Sequence, residues 1–307
     1  MKKSQPLKKV KLDSAFYKMQ KSGIADTNFG TDNSSELIGN GFGLYSTTNM
    51  AAGLGPVKTE FYRIALTMRG MVDVNLGLES FHPSQNTIVF GFPGQVFSLY
   101  NKSKDFFAYY LLFKEEFVEQ STVLRNIREQ FPFMNYTGMQ GFVMNDDETT
   151  EIESLIHKID AEIKRNDSNT IPAIELYIQL ILLQAHRSYR RQQLSKQETA
   201  MNSNALFKRF IKLVGQHFLS HKKVSDYAKL LNVTADHLNR TIKSQSDKTA
   251  GELIDEMILI EAKALLKQTA QSVAEITYQL EFNDPSHFNK FFKKHTGITP
   301  LQYRESE

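Results

Sequence analysis

Between Phe61 and Phe113 apolar and polar residues alternate, and β-branched and aromatic types are frequent. Val72, Val74, Leu76 and Leu78 alternate cleanly, which places them on one face of a strand. Thr87 to Phe92, Gln95 to Tyr100 and Phe106 to Phe113 read as further strands, separated by Pro93-Gly94 and by Asn101-Lys102-Ser103-Lys104. Short strands joined by tight turns predict a small β-barrel or jelly roll over about residues 30–145. The period then changes. Ile152, Leu155, Ile156, Ile159 and Ile163 form a helical stripe, and a second helix runs from Ile171 to about Arg191 with Pro172 near its start. This second helix carries one stripe of Ile174, Ile178, Ile181, Leu182 and Ala185, and another of Leu176, Leu180 and Leu183. A helix that is apolar on more than one face needs cover on more than one face. The barrel could cover one side and a second copy of the chain the other, or the first helix could cover both.

The polar stretch from Arg190 to Asn204 has no sustained apolar period and reads as a linker, placed at 192–204. Beyond it, one unit occurs twice. His237-Leu238-Asn239-Arg240-Thr241-Ile242-Lys243 returns fifty residues later as His287-Phe288-Asn289-Lys290-Phe291-Phe292-Lys293, and Thr249 and Thr299 keep the same offset. Each copy follows a shorter helical pattern, Val224 to Leu231 and Val273 to Leu280. In the first copy Asn232 suits a left-handed turn and Thr234 an N-cap. In the second, Asp284 suits the N-cap and Pro285 the first helical position. Leu238 and Ile242, and then Phe288, Phe291 and Phe292, would seat the second helix of each unit on the core. Asp236, Asn239, Arg240 and Lys243 remain exposed in the first unit, and Ser286, Asn289, Lys290, Lys293 and Lys294 in the second. Arginine bonds guanine in a fork, asparagine bonds adenine twice, and aspartate accepts from the cytosine amino group. One basic amphipathic helix is usually a solvated surface; two helix-turn-helix patterns in register point to DNA. The joining segment, Ala250 to Gln268, reads as one helix about 28 Å long. That length makes contact with successive major grooves, about 34 Å apart, feasible.

Charge adds a local detail. The net charge is +3, and residues 205–307 hold 15 Lys+Arg against 12 Asp+Glu, so the excess lies in the C-terminal part. No acidic residue falls between Pro285 and Arg304, a stretch suited to phosphates. Without cysteine the chain has no disulfide, thiol nucleophile or cysteine metal site. Met1 to Lys9 is charged and lacks an apolar core, and no segment reads as membrane-spanning; the expectation is a cytoplasmic protein without a membrane partner.

The run from Phe282 to Lys294, followed by Gly297-Ile298-Thr299-Pro300-Leu301-Gln302-Tyr303-Arg304, resembles the signature of the AraC-type (AraC/XylS) transcription regulators, and the match covers about Phe207 to Arg304. The resemblance implies base contacts by Asp236, Asn239 and Arg240 and by Ser286, His287, Asn289 and Lys290. It also implies a cupin-like sensor barrel, pairing of protomers through the helices after the barrel, and promoter activation through RNA polymerase. Two residues depart from the family pattern: Glu281 stands where glycine is usual, and Ile258 where many members have arginine.

The expected architecture is therefore α+β. A cupin-like N-terminal β-barrel and a helical pair (about 147–191) make a sensor and dimerisation domain over 1–191, and an all-α DNA-binding domain with two helix-turn-helix units joined by a long helix spans 205–307. The expected function is a non-enzymatic, sequence-specific transcription regulator, an activator, that binds double-stranded DNA as a homodimer and responds to a small-molecule effector. Tyr62, Phe90, Phe92, Phe97, Tyr109 and Tyr110 are the candidate effector contacts, with ordinary core as the competing assignment. The strand region has one histidine, His82, which is poor evidence for a metal site, and no cofactor fingerprint or catalytic residue is expected. The competing classes are a cupin-type enzyme with a DNA-binding tail and a purely architectural DNA binder.

Overall fold

A computed structural model of the chain describes residues 29–31, 35–48, 50, 53–119, 121–122, 124–135, 138–194 and 202–306. The chain's first residues and much of the expected linker, 195–201, lie outside the described residues. After a short helix α1 (Ser35–Gly39) come nine strands: β1 (Phe42–Ser46), β2 (Leu54–Lys58), β3 (Phe61–Arg69), β4 (Asp73–Leu76), β5 (Glu79–Phe81), β6 (Thr87–Gly91), β7 (Val96–Tyr100), β8 (Phe107–Lys114) and β9 (Gly141–Val143). They form two antiparallel sheets with orders β1-β8-β3-β6-β9 and β2-β7-β4-β5.

The expected closed barrel is corrected here: no ladder joins the two sheets among the described residues, so they form an open sandwich. Closure needs edges long enough to pair, whereas β5 and β9 have three residues each and β2 is interrupted by an irregularity between Leu54 and Val57. Leu78 does not extend β4; it sits in the turn before β5 and packs toward the C-terminal core.

The larger sheet is covered on both faces, which is why β3 and β8 are buried along nearly their whole length. Tyr62, Ile64 and Leu66 of β3 face one core, shared with the helices that follow. Arg63, Ala65 and Thr67, one residue out of phase, face the smaller sheet. Two short helices, α2 (Glu115–Glu119) and α3 (Ile127–Gln130), lead to α4 (Asp146–Arg165) and α5 (Thr170–Arg191). Asn145 and Glu148 form a capping box at the start of α4. Glu148 also accepts from Arg191 Nε at 3.0 Å and Nη2 at 2.9 Å, tying that end to the end of α5. The Ile174, Ile178, Ile181, Leu182 and Ala185 stripe is fully buried, so trimming Ile178 to alanine should cost about 2–5 kcal/mol. The second stripe is uncovered: Leu176, Leu180 and Leu183 are 53%, 45% and 37% exposed. The first helix does not cover both faces.

The C-terminal part is all helix: α6 (Asn202–His217), α7 (Val224–Leu231), α8 (Ala235–Ser246), α9 (Ala250–Gln268), α10 (Val273–Gln279), α11 (Pro285–Thr296) and α12 (Pro300–Glu305). Its core centres on α9, whose Ile254, Ile258, Ala262 and Leu265 are buried. Ile258 thus fills an apolar site that a charged side chain would occupy only at a desolvation cost. The smaller sheet docks onto this part. Val96 and Leu78 join its core, and Lys58 Nζ donates to Glu261 Oε1 at 3.1 Å and Oε2 at 3.2 Å.

Candidate nucleic-acid interface

Each repeat is built by the same local chemistry. In the first, Tyr227, Ala228 and Leu231 bury one face of α7, and Asn232 ends it in the left-handed conformation at φ 56°. The Thr234 hydroxyl accepts from the N–H of His237 and opens α8. In the second, Ser272 and Glu275 form a capping box on α10, and Glu281 takes the left-handed position at φ 55°. Asp284 Oδ1 then accepts from the N–H of His287 at 2.9 Å, with Pro285 at the first position of α11. Thr249 and Thr299 cap the following helices, α9 and α12, with a box each. From 235 to 250 and from 285 to 300 the pattern of buried, half-buried and exposed positions agrees at every residue except 245 and 295. Leu238 and Ile242 of the first unit, like Phe288 and Phe292 of the second, are wholly buried. Phe291, expected on that face, is half-buried with its ring 5.2 Å from that of Phe282.

The structure leaves Asp236, Arg240 and Lys243 exposed on α8, and Ser286, His287, Lys290, Lys293 and Lys294 exposed on α11. Asn239 and Asn289 are half-buried. Arg240, Lys243, Lys290, Lys293 and Lys294 form no salt bridge among the described residues, so their charge is available to an anion. The His287 ring stands edge-on to Phe282 at 5.5 Å. Lys222, which carries no signal in the sequence, holds the second turn from outside. Its Nζ donates to the carbonyls of Leu280 and Glu281, both at 2.6 Å, and lies 4.1 Å from the centre of the Phe282 ring. Burial holds its ammonium pKa below the ordinary lysine value.

The six aromatic residues expected to contact an effector divide between two faces. Phe97 and Tyr110 line a cavity of about 50 Å³ between the sheets. Tyr62, Phe90, Phe92 and Tyr109 instead face the helical layer. The Tyr62 hydroxyl accepts from Arg128 Nε at 2.8 Å, and the Phe90 ring centre is 4.1 Å from that of Phe133. The cavity also contains a residue the sequence reading missed, Arg63, which is 5% exposed and sits over the Phe97 ring at 3.6 Å. Burial pushes its guanidinium pKa down to about 9, which still leaves it charged at neutral pH. His82 is exposed, with Nδ1 2.7 Å from Asp73 Oδ1, and no cluster of three potential metal ligands occurs among the described residues. No helix among those residues is long and apolar enough to cross a membrane.

Comparison with known proteins gives consistent matches. Residues 227–306 match the profile of a helix-turn-helix domain. The transcriptional activator RhaR of Mannheimia succiniciproducens is 22% identical over 162 residues, covering 52% of this chain and 56% of that protein. The lactose operon transcription activator of Staphylococcus xylosus is 26% identical over 160 residues, covering 51% and 56%. The chain thus spans about half the length of the curated relatives it matches. Among solved structures, an apo point variant of ToxT from Vibrio cholerae aligns over 86% of this chain and 97% of its own, at 15% identity and a TM-score of 0.42.

Proposed function

We propose that the chain is an AraC-type transcription regulator, a sequence-specific DNA-binding activator whose two helix-turn-helix units enter successive major grooves on one face of a duplex. The observation that carries this reading is the agreement between the exposed faces of α8 and α11, two surfaces of the same shape joined by the single helix α9. Their chemistry differs. Lys290, Lys293 and Lys294 give α11 the stronger attraction for phosphates, and Asp236 and Arg240 give α8 base-edge chemistry. Ser286, His287 and Asn289 are the corresponding base readers on α11.

Residues 1–191 act as sensor and dimerisation domain, 192–204 as linker and 205–307 as the DNA-binding domain in this reading. The uncovered Leu176, Leu180 and Leu183 stripe supports a homodimer formed through α5. The cavity between the sheets is the effector site, and RNA polymerase is the partner at the promoter. The protein acts in the cytoplasm, without chemistry of its own.

The test uses the full chain. Selection from random duplexes followed by footprinting should give one preferred site with two protected patches about 10 bp apart. Replacing Arg240 with alanine should cost about 1–3 kcal/mol on that site and relax one base position. Equal loss on all sequences makes Arg240 a phosphate contact, and binding without any sequence preference removes the regulator reading in favour of an architectural protein.

A further inference from the structure

We propose that the cavity between the two sheets binds a small monoanion, a carboxylate on a short aliphatic body, with Arg63 as its counter-charge; the proposal rests on the effector reading above. Arg63 is more than nine-tenths buried, and its Nη2 has no hydrogen-bond partner. The Phe97 ring offsets part of the charge from one side but gives Nη2 no acceptor. No aspartate or glutamate lines the cavity. A charge taken out of water with neither a paired carboxylate nor a full set of acceptors is a costly arrangement in a protein interior. An anion that reaches the guanidinium supplies both.

The surroundings define the rest of the ligand. One cation calls for one negative charge. Val72, Val74, Val89, Leu99 and Phe106 make most of the other walls apolar, and Thr47, Thr67 and Tyr110 are the neutral polar residues among them. A cavity of about 50 Å³ accepts roughly four water-sized groups, which fits a carboxylate with one to three further carbons. The planar guanidinium donates two parallel N–H bonds to a carboxylate, so the acid is favoured over an alcohol or amide of the same shape.

The experiment measures calorimetric titrations and thermal melts of the full-length protein with acetate, propionate, butyrate and octanoate at constant ionic strength, beside propionamide and butyramide. The short acids should bind once per chain and raise Tm by roughly 2–4 °C at saturation. The amides should give no shift, and octanoate should bind at least tenfold more weakly than butyrate. Arg63→Met, which keeps the apolar stem, should lose the response. Ala65→Leu, which keeps the charge but fills the cavity, should lose it as well. The proposal is overturned if no acid binds the wild type, if amides match acids, or if Arg63→Met binds acids as the wild type does. Should Arg63→Met fail to fold, Ala65→Leu and the amide comparison decide. Sequence-specific binding to the selected duplex, measured on the same preparation, separates the two readings. Specific DNA binding without an acid response sinks the carboxylate site alone, and acid binding without specific DNA binding sinks the regulator.

Discussion

The side-chain carbonyl of Asn239 accepts a hydrogen bond from the backbone N–H of Ala250 at 3.1 Å, across the turn between α8 and α9. The equivalent pair in the second unit is Asn289 and Pro300, and proline has no N–H to donate. Two asparagines at matched positions therefore have different duties. Asn239 satisfies a backbone donor at the start of the helix that joins the two units, and Asn289 keeps its whole amide for other partners.

Replacing each asparagine with alanine should separate these duties. Asn239→Ala leaves a part-buried N–H without its acceptor and should lower stability by about 1 kcal/mol. Asn289→Ala should cost less than that, since the half-buried Asn289 accepts no such backbone bond. If Asn289 reads a base, it should lose about 1–3 kcal/mol of specific affinity. Chemical denaturation and anisotropy on the preferred duplex measure the two quantities. Equal destabilisation by both variants would contradict the assignment.

The turn between α10 and α11 offers a second contrast. Glu281 holds φ 55°, a region where any residue with a Cβ is strained. Lys222 keeps it there by bonding its carbonyl, and the Glu281 carboxylate adds a charge attraction to the same ammonium that glycine would lose. Glu281→Gly should raise stability by about 1 kcal/mol, less the entropy glycine adds to the unfolded chain. Lys222→Met should lower it, because two carbonyls lose their donor. A drop in Tm for Glu281→Gly would show that the glutamate side chain contributes more than its backbone costs.

The parts of this architecture that were legible in the sequence are those set by near neighbours. Thr234, Asp284 with Pro285, and Asn232 each act within four residues of themselves, and the bounds of α9 follow from Thr249 and the apolar residues after it. The parts that were not legible depend on distant contacts. Alternation along β3 separates Tyr62 from Arg63, but it does not say which face meets helices and which meets the other sheet. Four of six aromatic candidates lie on the helical side for that reason. Whether two sheets close into a barrel depends on edges far apart in the chain. The Lys58–Glu261 pair joins residues 203 positions apart and has no local signature.

The docking surface should also respond to pH. Glu79 lies beside a small cavity shared by Leu78 and Gln140 of the sheet side with Ile211, Gly215 and Met257 of the helical side. Burial pushes its carboxyl pKa up to about 7, against the opposing pull of Lys208. The folded protein then binds a proton that the unfolded chain has already released above pH 4.5. Stability contributed by protonated Glu79 is present below that value and declines as pH rises toward 7. Because the residue is only half-buried, solvent screening trims the effect to about 1–2 kcal/mol. Glu79→Gln should be more stable than wild type at pH 8 and nearly equal to it at pH 4.5, in denaturation curves at both values. A constant difference across this range would remove Glu79 as the titrating group.

The ion pair between Lys58 and Glu261 should control whether the sheet side and the helical side unfold together. Glu261 is fully buried and Lys58 is 14% exposed, and Glu261 belongs to the helix that joins the two helix-turn-helix units. Burial raises the Glu261 pKa, and Lys58 opposes that rise by proximity and by hydrogen bonding. Lys58→Met removes the compensating charge and leaves a carboxylate in an apolar contact, a change that costs about 3–5 kcal/mol if the contact stays closed. Opening the contact and rehydrating Glu261 is the less costly response. The variant should therefore melt in two transitions where the wild type melts in one, with a larger radius of gyration in solution scattering. Adding Glu261→Leu should restore a single transition, since two apolar side chains of suitable size can replace a buried ion pair without loss. If Lys58→Met melts once, at the wild-type temperature and with the wild-type radius, the pair does not hold the two halves together and β2 docks on α9 by apolar contact alone.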